Sequence, residues 1–381
     1  MVENKIYLDY AAATPVDTQV LKAMSLYFSD NFYNPSANYM AAKKVSGEID
    51  NARSEVAKIL SVKSSEIYFT AGGTEANNLA IKGVMELHPG KNIIISAIEH
   101  ESVVDPAKLF DYRISPVDKN GRVIISELEK LIDKDTVMVS IMYANNEIGV
   151  IQPMVKIKQV IKNTLTKRLA DNNSLPLYFH SDACQAANYL SLNTDSLGVD
   201  MMSLNGGKIY GPKQSGVLFV HRSVVLNPQI LGGGQEHGLR SGTENVPSIV
   251  GFSKALKIAD ELKLAESERL GALQVYFMDF LKQAIPDSTI NGSLKNRLPN
   301  NLNVSFESQD NETMLFKLDD SGVMCSTGSA CSAQKDTISP TLLAIGLSEK
   351  QALSSLRFSL GRQTTKKQIE TVVKIIQNIL S

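Results

Sequence analysis

Asp200-Met-Met-Ser-Leu-Asn-Gly-Gly-Lys208-Ile-Tyr-Gly-Pro-Lys213 reads as a buried strand that runs into two glycines, delivers one lysine and stops at Gly-Pro. A lysine directly after a buried strand is held by rigid scaffold, with its tip in the crevice at the strand's carboxyl end. Open α/β sheets bind ligands in that crevice. Desolvation weakens a lysine's preference for the charged form, and the neutral amine can form a Schiff base with an aldehyde. Taken alone, the segment reads better as a surface-loop lysine. The rest of the chain decides between the two.

From about residue 16 to 250, short apolar runs alternate with amphipathic segments. Strands are expected over 67–70, 92–97, 136–143, 177–182, 200–204 and 216–220, with helices between them over 75–85, 126–132 and 155–169. Such alternation means βαβ units and a mainly parallel sheet, an α/β fold. The alternation then stops. Residues 254–284 carry apolar positions at helical spacing and read as one long helix. Beyond it come a strand (301–306), a helix (312–318), a cysteine-containing loop, a strand near 356–359 and a closing helix (366–380) after the capping pair Thr364-Thr365. The expected organisation is a large domain over 16–253 and a smaller α+β domain made of 1–15 and 254–381.

The chain has 381 residues, with 39 Lys+Arg against 40 Asp+Glu, so charge points to neither nucleic acid nor a membrane surface as principal partner. The first nine residues lack the apolar run of a signal peptide, and no stretch approaches the ~20 apolar residues that span a bilayer. A cytoplasmic location is the expectation. Three cysteines, Cys184, Cys325 and Cys331, argue for a reducing compartment and against a disulfide framework. The five histidines are scattered, so no metal site is expected.

Five segments carry chemistry. Phe69-Thr-Ala-Gly-Gly73-Thr74-Glu-Ala-Asn-Asn78 is a strand, a glycine turn and a helix start, where free N–H groups and the helix dipole make an anion site. It reads equally as an ordinary capped helix, and it lacks the Gly-Lys-Ser/Thr ending of a triphosphate loop. Leu177-Tyr-Phe-His-Ser-Asp182-Ala-Cys-Gln185 ends a strand on a carboxylate that either caps the next helix or faces the ring nitrogen of a bound pyridoxal phosphate. His100, just past a strand, either stacks on a flat cofactor and moves protons or is a solvated loop histidine. Cys325-Ser-Thr-Gly-Ser-Ala-Cys331 is small and polar, a loop that can expose the Cys331 thiol, whereas Cys184 and Cys325 read as packed fillers. Arg357, on an alternating strand, has the fork to hold a substrate carboxylate or a structural acid. The glycine-rich run from Gly232 to Thr243 is too long for a tight turn and suits close backbone approach to a ligand or partner.

Together with Tyr7-Leu-Asp-Tyr-Ala-Ala-Ala-Thr-Pro15, Asn145-Asn-Glu-Ile-Gly-Val-Ile-Gln-Pro153, Gly232-Gly-Gly-Gln-Glu236, Arg240-Ser-Gly-Thr-Glu-Asn-Val246 and Arg357-Phe-Ser-Leu-Gly361, these segments resemble the class V aminotransferase-like group. Within it the chain is similar to NifS/IscS-type cysteine desulfurases, nearly end to end. The resemblance implies a fold-type I pyridoxal-phosphate transferase, with a mainly parallel seven-stranded sheet, working as a homodimer. It implies that Lys208 holds pyridoxal phosphate, His100 stacks on the ring and shuttles protons, Asp182 bonds the ring nitrogen and Gln185 the phenolic oxygen. Gly73 and Thr74, with Asn205, would cradle the phosphate, and Thr243 would reach it from the partner subunit. Asn146 and Arg357 would orient L-cysteine, and Cys331 would take its sulfur as a persulfide, leaving alanine. The spacing from Cys331 to Arg357 resembles the branch that delivers sulfur to protein acceptors, such as an iron–sulfur scaffold or a tRNA-thiolation or cofactor-biosynthesis protein. The chain departs from the family where Ser-x-His-Lys is usual, since Asn205-Gly-Gly-Lys208 stands there, and Gly207 cannot replace an imidazole. Two competing readings are a related enzyme without sulfur mobilisation, such as an aminotransferase or selenocysteine lyase, and a non-catalytic sulfur-transfer scaffold.

Overall fold

The strand Asn92–Ser96 (Asn-Ile-Ile-Ile-Ser) is buried along its whole length, as a strand covered on both faces must be. Ile93 and Ile95 point into one apolar cluster and Ile94 into another, the period-two alternation of a pleated strand. The computed structural model describes residues 5–307, 309–328 and 338–380. In it seven strands form one sheet in the order Ile67–Thr70, Gly216–Val220, Met201–Asn205, Tyr178–Asp182, Thr136–Ser140, Asn92–Ser96, Asp111–Ser115. Gly216–Val220 is antiparallel to both neighbours and every other pairing is parallel. Six strands therefore end on the same edge of the sheet.

Helices cover both faces. Gly73–Met85 and Glu101–Ala107 pack over one, contributing Leu79, Ile81, Val84 and Val103. Met40–Leu60, Met154–Ala170 and the start of Val246–Ala284 pack over the other. Met40–Leu60 buries Ala42, Val45, Ile49, Ala52, Val56 and Leu60, a stripe at helical spacing, and ends where Ser61 turns left-handed at φ 62°.

The long helix starts at Val246, two turns before the expected Lys254, because Asn245 caps it through Ser248 N and Pro247 fits its first turn. Its 39 residues serve two cores. Phe252, Leu256 and Ala259 lie in the main core, while Leu270, Phe277 and Leu281 lie in a second one. That second core collects Leu302, Val304, Leu356 and Phe358 from the antiparallel pair Asn301–Ser305 and Ser355–Ser359, together with Ile369, Val372 and Ile376 from the closing helix Lys366–Leu380. Ile6 and Leu8 belong to it as well, and Leu342, Ile345 and Ala352 pack in the main core. Ile6–Tyr7 pairs in parallel with Val323–Met324, and Asp9 bridges to Ser359.

Candidate active site

Nine of the residues singled out from the sequence line one pocket at the carboxyl edge of the sheet: Gly73, Thr74, His100, Asn146, Asp182, Gln185, Asn205, Lys208 and Arg357. The fold brings them there from separate strand ends. Asp182 is the last residue of its strand, and Lys208 closes the short 3-10 turn Gly206–Lys208 after Met201–Asn205. Asn205 shapes that turn, its Oδ1 accepting from Gly207 N at 2.9 Å.

Lys208 Nζ reaches across the pocket and donates to the carbonyls of Ala11 (2.9 Å) and Ala12 (2.6 Å). Gln185 Nε2 donates to the same Ala11 carbonyl at 3.0 Å. Thr14 closes the strip by donating to Gly207 O, from both its N–H and its hydroxyl, at 3.1 Å. Ala11 and Ala12 thus form one wall of the pocket, anchored behind by Thr14. The sequence marked this stretch only as part of the motif Tyr7–Pro15 and gave it no role, because its contribution is backbone.

Gly72 (φ +130°) and Gly73 start the helix Gly73–Met85. A Cβ on Gly73 would stand 2.6 Å from Cys184 Sγ, so the backbone must be bare there. The first N–H groups of that helix have no intrahelical acceptors, and together with the dipole they favour an anion. Thr74 is exposed at the helix start, beside His100 and Ser102 in an adjoining surface cleft.

Asp182 Oδ1 accepts from Cys184 N at 2.9 Å, and Oδ2 accepts from Asn77 Nδ2 at 2.8 Å. His100 is the N-cap of Glu101–Ala107, its Nδ1 accepting from Ser102 N at 3.1 Å. Burial pushes the neighbouring Glu99 carboxyl up to about 8. His180, gripped by Ser140 and Ser203 within the sheet, is pushed down to about 4 by burial. Burial also raises the Cys184 thiol well above its usual range and Cys325 to about 12, so both are held as neutral thiols.

Arg357 is buried. Its Nη2 pairs with Asp9 Oδ1 at 2.6 Å and Nη1 donates to Asn146 O at 3.2 Å, while Nε is buried with no hydrogen-bond partner among the described residues. Cys331 lies outside the described residues. On one side of that stretch, Ser326 exchanges backbone hydrogen bonds with Arg357; on the other, Ser339 donates to Glu147 Oε2 at 2.5 Å. Burial raises the Glu147 carboxyl. Thr243 is not in the pocket. It lies with Arg240, Gln214 and Glu244 in a second cleft of about 210 Å³.

Sequence reading missed Asn77, Ser102, Glu99 and Glu147. Asn77 and Glu147 sat inside quoted motifs, and Glu99 and Ser102 flank His100, but their partners are set only by the fold.

The family model described as aminotransferase class-V matches residues 6–372. A cysteine desulfurase IscS of Dictyoglomus turgidum is 40% identical over 386 residues, covering 100% of this chain and 95% of that protein. Cysteine desulfurase IscS 1 of Archaeoglobus fulgidus is 38% identical, covering 98% and 96%. Among solved structures, a NifS-like protein superposes with a TM-score of 0.91 at 33% identity, covering 99% of each chain. A structure described as SspA in complex with cysteine gives 0.79 at 36% identity, covering 94% of this chain and 99% of that one.

Proposed function

The chain belongs to the aminotransferase class-V family, and from that premise we propose that its pocket desulfurates L-cysteine with pyridoxal phosphate and passes the sulfur on as a persulfide. The observation that carries this reading is the convergence of Lys208, Asp182, His100 and Arg357 from separate elements onto one pocket. The curated relatives are cysteine desulfurases by name, and one similar structure is described with cysteine bound.

The residues suit the cofactor. Lys208 supplies the amine, Asp182 a carboxylate for a protonated ring nitrogen, and His100 a ring at the pocket wall. Gln185 would hold the phenolic oxygen. The bare start of the helix at Gly73 and Thr74, with Asn205 beside it, suits a phosphate. When bound, that group supplies an electron sink next to the substrate's Cα.

The chain's own residues do the rest. Arg357 holds the substrate carboxylate through its charged fork, and Asn146 helps to orient it. His100 moves protons at the pocket wall. The Cys331 thiolate attacks the substrate sulfur. An S–S bond forms, the Cβ–S bond breaks with its electron pair left on carbon, and protonation there gives alanine. The persulfide on Cys331 then goes to an acceptor protein, such as an iron–sulfur scaffold or a thiolation protein. Thr243 would complete the phosphate grip of a second copy in a homodimer.

The test is release of alanine and sulfide from L-cysteine with a thiol reductant and added pyridoxal phosphate, in wild type, Cys331→Ser and Lys208→Ala. Equimolar products, lost in both variants, are expected. Turnover surviving in Cys331→Ser would exclude the persulfide route. A cofactor-loaded wild type without turnover would exclude the activity itself.

A further inference from the structure

Asn77 lies on the inner side of the helix Gly73–Met85 with no solvent exposure. Its Nδ2 donates to Asp182 Oδ2 at 2.8 Å and to Ser102 Oγ at 2.9 Å. Ser102 Oγ in turn lies 2.8 Å from His100 Nδ1. The contacts run Asp182, Asn77, Ser102, His100, and so join the two groups that the proposed function places around the cofactor ring.

Counting protons fixes the direction of each bond. The Asn77 amide has two hydrogens, and one goes to each acceptor. Ser102 Oγ therefore accepts from Asn77 and has its own hydrogen left for His100 Nδ1. The backbone N–H of Ser102 points at the same nitrogen, at 3.1 Å. With Nδ1 an acceptor, the proton of a neutral imidazole sits on Nε2. Turning the amide over would set Asn77 Oδ1 against the Asp182 carboxylate, acceptor against acceptor. Asn77 Oδ1 is buried without a hydrogen-bond partner in the described structure. A polar side chain chosen only for packing would not leave such an atom, whereas one chosen for two donors aimed at two acceptors would.

We propose that Asn77 is a positioning residue that couples Asp182 to His100, holding the carboxylate in place as an acceptor for the cofactor ring and the imidazole as its Nε2–H tautomer. The proposal rests on the functional reading above, in which both residues face the cofactor. It makes the acid that would meet the ring nitrogen and the histidine that would stack on the ring a single unit, set by a helix that contributes neither.

The experiment compares cofactor-loaded wild type with Asn77→Leu, which nearly keeps the shape without donors, Asn77→Ala, and Ser102→Ala, which cuts only the histidine arm. Three quantities are read: the visible absorbance of the bound cofactor, the side-chain ¹⁵N shifts of His100 (assigned with His100→Gln), and kcat and KM for L-cysteine. The Asn77 variants are expected to move both spectroscopic signals and to lower kcat on the order of 10²-fold with KM little changed. Ser102→Ala is expected to move the His100 signal and leave the absorbance in place. Unmoved signals in Asn77→Leu and Asn77→Ala, or an absorbance change without a histidine change, would overturn the coupling. A His100 signal unmoved by Ser102→Ala would break its middle link. A wild type with neither visible absorbance nor turnover would instead sink the functional reading, and the coupling with it.

Discussion

At Arg357 one guanidinium serves two tasks. Nη2 is committed to Asp9 and Nη1 to the Asn146 carbonyl, which fixes the plane of the fork in the wall of the pocket. Lysine keeps the charge but not the fork. Arg357→Lys should therefore raise KM for L-cysteine roughly tenfold, the loss of about one charge-assisted bond, with a smaller fall in kcat. Steady-state kinetics check this, and an unchanged KM would remove Arg357 from the substrate. Glu99 offers a test of a different kind. Its Oε1 accepts from Ser96 Oγ and Met142 N, while Oε2 is buried without a hydrogen-bond partner among the described residues. Burial raises the group from its ordinary value of 4.5 to about 8. Between those values the folded chain holds a proton that the unfolded chain releases, so this group's contribution to stability falls as pH rises from 4.5 to 8. Glu99→Gln mimics the protonated form. Relative to wild type it should gain on the order of 2 kcal/mol in passing from pH 5 to pH 8, read as diverging melting temperatures. Parallel melting curves would show that the carboxyl is ionised throughout.

Among the elements, the helix Met40–Leu60 is tied to the sheet through Arg53. Its guanidinium grips Glu236 with both amino groups (2.8 and 2.7 Å), donates to Ile67 O at 2.6 Å and lies over the Phe69 ring. Glu236 also takes the Phe69 N–H and holds a left-handed backbone at φ 48°. Removing one partner of such a buried pair strands the other, so Glu236→Ala should cost about 3–5 kcal/mol in urea denaturation, more than the double replacement by apolar residues. That helix was not legible in the sequence. Its stripe is built largely from alanines and valines among charges, with no side-chain cap to announce it. The edge strand Asp111–Ser115 was equally silent, because an edge carries charge to discourage further pairing and so loses the apolar signature. The buried strands and the long helix were legible because nothing but apolar runs and helical spacing can fill a covered sheet or join two cores. The same logic divides the site. Lys208, Asp182 and His100 announce themselves by following strands, whereas Asn77 and Ser102 matter only through neighbours 105 and 25 residues away.

For the molecule as a whole, the long helix commits its first half to one core and its second half to the other. Phe277, fully buried against Phe358, should cost about 3–5 kcal/mol when cut to alanine, and two-state thermal curves should move as one transition because the helix belongs to both cores. The proposed homodimer predicts light scattering at twice the chain mass, with a monomeric result removing Thr243 from the cofactor. The strip that walls the pocket has a further meaning in time. Ile6 and Leu8 find their partners at residues 322–324 and 359, and Asp9 at Arg357 and Ser359, so residues synthesised early are among the last to be placed. A nascent chain halted near residue 320 owns Lys208, Asp182 and His100 but lacks the strand on which Ala11 and Ala12 depend. Such a chain should fail to capture cofactor however long it waits, so that cofactor binding reports that synthesis has passed residue 359.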